Sequence, residues 1–454
     1  EDDHRGAARA SSPATGRLPL DLERHRRAVR SLRDRGRAAR PGRDPAAARR
    51  RRRDLRGVRR RVKFYVALGA GAACLFLGSW TLLHQLWYRS AGEIVDTPGY
   101  EKYADAIASG EVPYRDFSVE YPPGALLPML APKVTAARGD FGAFGHSFEK
   151  WMAGAGVLMT LLAALALAAL RPPPLRAVGA MLLVGASPLL LGDLMLSRFD
   201  LWVAALTVGA VAALIWEWRT TSAVVLAAAI ATKLFPAVLA PIGLAWIWRR
   251  HGRRAALAWL GTVVAVCAVV FLPFVAIAPG GVWHSVTVQL DRPLQLESLG
   301  AALLVLVHLD FGTRLHVFTT VSQNVSGSGA HAAEILSGIA QVGALLAIWW
   351  LYARGPQTRE RLVAYAAAAV TAFIAFGKVL SPQYLVWLIP LVPLVRSRGA
   401  QVLFVAALVL TQVEFPARYW QLANDLRPSI VAVVLARDLV LVVLTGLLTF
   451  ERIE

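Results

Sequence analysis

Between Asp96 and Gly124 the chain reads DTPGYEKYADAIASGEVPYRDFSVEYPPG, a polar stretch rich in carboxylates and tyrosines set among long apolar runs. Three of its acids, Asp96, Asp116 and Glu120, have the chemistry of a general base, since a carboxylate within hydrogen-bond reach can take the proton of a hydroxyl nucleophile. A helix N-cap or a loop salt bridge is the alternative for each. Tyr114, Arg115 and Tyr121 flank these acids and read as residues that hold the loop in shape, and the EYPPG turn could equally be purely structural, because paired prolines restrict the backbone. Farther along, Arg198 in SRFD, Arg292 in QLDRPLQLES and Lys378 in KVLSPQYL supply cations for phosphate. Arg can grip two phosphate oxygens, whereas Lys acts as a point charge. Asp193, Asp200, Gln295, Glu297, Ser322, Gln323 and Asn324 add polar groups that read as lying near one membrane face. Lys233 is harder to assign to a side. His284, His308, His316 and His331 could assist proton transfer or serve structure alone.

A loop carboxylate, scattered cations and an apolar scaffold fit sugar transfer from a polyprenyl-phosphate donor. The acceptor hydroxyl is a poor nucleophile until a base takes its proton, and the departing lipid phosphate gathers charge that Arg or Lys stabilises. CxxC, HExxH, Walker and Rossmann patterns are absent, which removes the sequence support for structural zinc and for cytosolic nucleotide hydrolysis. Asp96 has no adjacent DxD partner, so no cofactor is expected, with a divalent cation as the open alternative. Cys74 and Cys267 both lie in apolar runs, so no disulfide framework is expected.

These groups need a scaffold that lives in lipid. The 454 residues are 56% apolar, with repeated apolar runs of about 18 to 25 residues, the signature of an all-α polytopic integral membrane protein. Of the formal charge of +19, residues 1–61 hold 21 Arg against 8 Asp or Glu, a net +13. That arm is poor in aromatics and is expected to be disordered, with anionic lipid headgroups rather than nucleic acid as its partner if it has one. The chain opens without Met, which reads as a fragment or an over-extended start. Residues 62–454 are expected to form the membrane domain.

A basic arm ahead of the first apolar run, Phe64 to Tyr88, predicts a retained signal anchor with a cytoplasmic N-terminus and an extracytoplasmic Asp96 loop, in a multi-pass protein of the plasma membrane. Basic clusters at Arg171–Arg176, Arg249–Arg254, Arg354–Arg361 and Arg396–Arg398 read as cytoplasmic turns. Between Arg176 and Arg249 three apolar blocks stand where an even number of crossings is required. One must be broken or re-entrant, and Ser222–Trp248, interrupted by Lys233, Pro236 and Pro241, is the best candidate; irregular backbone at membrane depth is tolerated where it is buried in protein or lines a cavity. About 10 to 12 membrane segments are expected, with residues 299–310 too short to span and a large first outer loop. Trp80, Trp87, Trp248, Trp349 and Trp350 read as interface anchors. No internal repeat is visible.

An ordered series of motifs then stands out: an Asp ahead of a Tyr-containing helix, GxxPYRDFxxEYPPG, RFD, TKLFPxxLxP, QxESL and SPQYLxWLxPL. From about residue 64 to 450 this series resembles the family 87 glycosyltransferases of actinobacteria, integral-membrane enzymes of the GT-C superfamily typified by polyprenol-phosphate-mannose-dependent mannosyltransferases. The resemblance implies a GT-C-type helical bundle and a catalytic carboxylate in the first extracytoplasmic loop, for which Asp96 is the match by position, with Asp116 and Glu120 as second acids. It also implies an inverting transfer of a hexose, mannose before arabinofuranose or glucose, to a lipid or glycan acceptor. A transporter or flippase of lipid-linked sugars is the alternative, sharing the fold and the intramembrane charges.

Overall fold

The computed structural model describes residues 45–86, 95–136 and 142–450. Trp87, Tyr88 and residues 1–44 of the basic arm lie outside that set. The chain divides into two units, Glu1–Arg61 and Val62–Glu454. In the first, the described residues 45–61 are helical, the opening turns of α1 (Pro45–Leu86), where the sequence predicts disorder. Ala and Arg are among the strongest helix formers, and Pro is well placed in a first turn.

The described residues of the second unit are mostly helical. The polar insert after α1 folds into α2 (Thr97–Ala108) and α3 (Leu126–Thr135), joined through a 3₁₀ turn at Pro123–Ala125. Helices α4 (Ala143–Leu170), α5 (Pro174–Gly185), the single turns α6 (Ser187–Leu191) and α7 (Leu194–Ser197), α8 (Asp200–Ile215), α9 (Arg219–Thr232) and α10 (Ala240–Ile277) follow. Then come α11 (Pro279–Leu290), α12 (Leu299–Phe311), a β-hairpin, α13 (Ala330–Arg354), α14 (Arg359–Ala375), α15 (Arg398–Glu414), α16 (Tyr419–Ala423) and α17 (Pro428–Phe450).

Among the described residues five helical stretches are long and apolar enough to cross a membrane: Arg59–Gln85, Ala143–Leu170, Phe235–Ile277, Ala330–Arg354 and Pro428–Phe450. Five shorter apolar helices accompany them, Leu299–Phe311 among them. The core is made by α8 and α14, buried along nearly their whole length. Alanine runs such as AYAAAAV let neighbouring helices approach closely, as small residues do between membrane helices. α8 packs between α4 and α9, and α14 against α17 and α13. On α10 and α13, by contrast, large apolar side chains such as Val269, Leu336 and Ile339 point outward. Exposed hydrocarbon on that scale suits lipid as the surrounding solvent.

Two breaks interrupt the helices. α9 stops at Thr232, Lys233 is extended (φ −153°, ψ 137°), and a 3₁₀ segment Phe235–Leu239 precedes α10. This is the interruption that Lys233, Pro236 and Pro241 predict, since proline lacks an N–H and crowds the preceding turn. SPQYLVWL forms the second irregular stretch, 3₁₀ over Pro382–Leu388. The two lock together through Phe235 and Trp387, whose rings stack at 3.6 Å and 6°. α10 itself turns at Gly252, whose φ of +83° suits glycine, inside the basic cluster Arg249–Arg254.

The all-α expectation holds, with one small β-hairpin beside the helices. Strands β1 (Leu315–Thr319) and β2 (Gln323–Gly327) pair antiparallel, with Val317 opposite Val325. β2 also bonds to the QLES segment, Leu296 N to Gln323 O at 3.0 Å and Val325 N to Leu294 O at 2.9 Å. LHVFT is rich in the β-branched and aromatic residues that favour strands.

Candidate active site

Asp96 occupies the N-cap position of α2, but its side chain makes no capping hydrogen bond. The carboxylate turns instead to Arg198, Oδ1 standing 2.8 Å from Nη1, and Oδ2 accepts from the Tyr100 hydroxyl at 3.3 Å. Pro98 sets the first turn of α2 without needing a hydrogen bond of its own. Arg198 is itself the extended residue after α7 (φ −125°, ψ 141°) and is 5% exposed, whereas Asp96 keeps 35% of its side chain accessible. A half-open carboxylate anchored by a buried guanidinium is fixed in orientation, with surface left for a substrate.

Around this pair lies a polar cavity of about 430 Å³. Asp96, Glu120, Tyr121, Arg198, Arg292 and Glu297 are in its lining, with Lys233 and Tyr384 from the two irregular segments and Ser322 from the hairpin. A second cavity of about 360 Å³ adjoins it and is lined mainly by apolar groups from α10's approach and α14, including Phe235, Val238, Phe373 and Trp387. Glu120, Tyr121, Lys233, Gln289, Arg292 and Tyr384 line both. The boundary between a polar chamber and an apolar one therefore carries two cations.

Burial raises the Glu120 carboxyl above its ordinary range, opposed by Arg292 and reinforced by the negative charge of Asp96. Arg292 donates from Nη2 to Ser322 Oγ at 3.0 Å, and its Nε has no hydrogen-bond partner among the described residues. Lys233 pairs with Asp200 at 2.7 Å and sits 5.1 Å from the Trp387 ring centroid. Trp387 Nε1 donates to the same Asp200 oxygen at 2.5 Å.

Of the remaining predicted residues, some meet here and some do not. Tyr114 is buried with a left-handed φ of 68°, and its hydroxyl donates to the Tyr121 carbonyl at 2.7 Å. That clasp fixes the turn from which Glu120 and Tyr121 enter the cavity. Asp116 lies outside the cavity lining. Its two oxygens take Arg115 Nε and Nη2, each at 2.9 Å, and Oδ2 also caps Val112 N at 2.8 Å. The Arg115 hydrogen bonds, then Val112's, hold its carboxyl down at about 2. It is a loop staple. Lys378 lines only the apolar cavity and pairs with Glu334 at 2.6 Å. None of His284, His308, His316 and His331 lines either cavity. Among the described residues no group of three His, Cys, Asp or Glu side chains could hold a metal ion.

Behind the polar cavity lies a buried charge network that the motifs do not announce. Arg437 on α17 meets Asp438 at 2.9 Å, Glu414 at 3.4 Å and the Glu297 carbonyl at 2.6 Å. Glu297 also accepts from Gln295 Nε2 at 2.7 Å, and burial pushes its carboxyl up to about 7 against the pull of Arg437. The available signal was an Arg-Asp pair inside the apolar run VVLARDLVL, costly in a membrane span and therefore informative. No protein-family model matches the chain, and no curated protein matches it.

Proposed function

We propose that the chain is a membrane glycosyltransferase of the GT-C type, which takes a hexose from a polyprenyl-phosphate donor on the extracytoplasmic face and passes it to a lipid or glycan hydroxyl. The observation that carries this reading is the shared wall: Asp96 and Arg198 in a polar chamber that adjoins an apolar one, with Arg292 and Lys233 at the boundary. A polyprenyl-phosphate sugar has the same order of parts, a polyol, a charged phosphate and a hydrocarbon chain.

In this reading Asp96 accepts the proton of the acceptor hydroxyl as its oxygen bonds to the anomeric carbon. The bond from that carbon to the phosphate oxygen breaks, and the lipid phosphate leaves with the electron pair and inversion at carbon. Arg292, whose Nε lacks a partner among the described residues, and Lys233 receive the growing phosphate charge. Arg198 keeps Asp96 aimed. Lys378 is the weakest of the three predicted phosphate ligands, because it lines only the apolar cavity and not the boundary with the polar one.

The test is transfer of radiolabel from polyprenyl-phosphate-mannose to a lipid extract by the full chain in nanodiscs. Asp96→Asn, which keeps shape and removes the base, is expected to lower transfer by roughly a hundredfold to ten-thousandfold. Equal transfer by both proteins would move the base to Glu120. No transfer by either, with label crossing the bilayer, would replace the transferase by the flippase.

A further inference from the structure

A third cavity, of about 820 Å³, lies between the apolar part of α1 and α4 and shares no lining residue with the polar and apolar chambers of the candidate active site. Ser147 and Glu149 of α4 line it, while Phe148 between them packs on Tyr100 of the Asp96 chamber at 5.3 Å. Its polar end is built around Glu149, 5% exposed, whose Oε2 stands 2.9 Å from His84 Nε2. The other oxygen, Oε1, has no hydrogen-bond donor among the described residues. Trp80 stacks on His84 at 5.5 Å, and its Nε1 is buried with no acceptor among the described residues. Trp151 and Trp202 complete an aromatic lining, and Lys150 stands at the rim.

We propose that this cavity binds the sugar headgroup of a glycolipid. An open carboxylate oxygen wants a donor, and an orphan indole N–H wants an acceptor; hydroxyls supply both from the same group, so a polyol satisfies the pair at once. Indole faces pack against the C–H faces of a sugar ring. A primary ammonium would satisfy Glu149 but leave Trp80 Nε1 unpaired and meet the charge of Lys150. The ligand arrives from lipid because α1 and α4 are both candidate membrane spans, and their outward residues here, Leu77, Leu82, Leu158 and Leu161, offer hydrocarbon to its chains.

The experiment puts the full chain in phosphatidylcholine nanodiscs with a monoglucosyl diacylglycerol that carries a photoreactive diazirine beside its headgroup. Labelling is expected within residues 80–84 and 149–151, displaced by unlabelled glucosyl lipid and not by phosphatidylethanolamine. Glu149→Gln and Trp80→Phe should each lower it about tenfold. Asp96→Asn should leave it intact, which separates this site from the transfer chemistry. Displacement by phosphatidylethanolamine would make it an amine site and overturn the proposal, as would labelling that both variants leave unchanged. Should Glu149→Gln fail to fold, Trp80→Phe, which removes the N–H together with part of the stacking face, decides alone.

Discussion

Three acids of one loop carry different environments, and those environments assign their roles. Asp96 is half open and leans on Arg198; Glu120 is partly buried beside Arg292; Asp116 is exposed and tied to Arg115 and Val112. Asp116 has a carboxyl held at about 2 against an ordinary 3.8. A carboxyl depressed in the folded state favours folding at every pH above its unfolded value, and that contribution fades only as pH falls from about 3.8 through about 2. Carbon NMR of Asp116 should therefore give a midpoint near 2, moving up towards the ordinary value in Arg115→Ala; a midpoint that ignores Arg115 would remove the staple. At this scale much was legible. Asp96, Glu120, Tyr121, Arg198 and Arg292 stand in polar motifs and do converge. Lys378 reads differently once folded because its partner, Glu334, lies 44 positions back, on α13, and spacing along the chain does not reveal it. Arg437 gave less signal still, as one half of a lone charged pair in an apolar run.

At the scale of elements, the site depends on chain that is not helical. Lys233 can reach Asp200 because α9 ends one residue earlier, and Asp200 opens α8. The pair is 15% and 1% exposed. Removing one member of a buried pair strands the other charge, so Asp200→Ala should cost about 3 to 5 kcal/mol in unfolding free energy, and the double variant Asp200→Ala with Lys233→Met should recover most of it. If the double variant is no more stable than Asp200→Ala, the charge is not what holds the break. α11 offers a second test. A Cβ on Gly281 would collide with the Tyr114 carbonyl oxygen, whereas one on Gly280 would meet nothing within 4 Å. Gly281→Ala should destabilise by about 1 to 3 kcal/mol. Gly280→Ala should be neutral or stabilising by up to about 1 kcal/mol, as alanine is in a helix. Equal melting temperatures for the two would refute that contact. The break at Lys233 was readable because two prolines mark it, and a crossing count demanded it. The hairpin was not: its strands are five residues each and owe their pairing partly to the distant QLES segment.

At the scale of the whole molecule, the arrangement makes sense only with two solvents. Buried charge gathers behind the Asp96 chamber, and α10 and α13 turn apolar side chains outward. The basic clusters, Arg249–Arg254 at the turn of α10 and Arg354–Arg361 between α13 and α14, predict an orientation with those turns in the cytoplasm, since cytoplasmic loops keep an excess of Arg and Lys. The proposed chemistry requires the α2–α3 insert on the opposite face, where a lipid-linked donor can meet an acceptor of the cell envelope. With Cys74→Ser and Cys267→Ser as background, single cysteines at two exposed positions separate the faces: Glu111→Cys in the insert and Arg253→Cys at the turn of α10. A membrane-impermeant maleimide added to intact cells should modify Glu111→Cys and spare Arg253→Cys until the membrane is opened. The reverse pattern would put Asp96 in the cytoplasm, where the donor's sugar would have to be presented from the other leaflet. Labelling of both in intact cells would mean that the chain crosses the membrane an even number of times between residues 111 and 253, and the crossing count built on the basic clusters would fall with it.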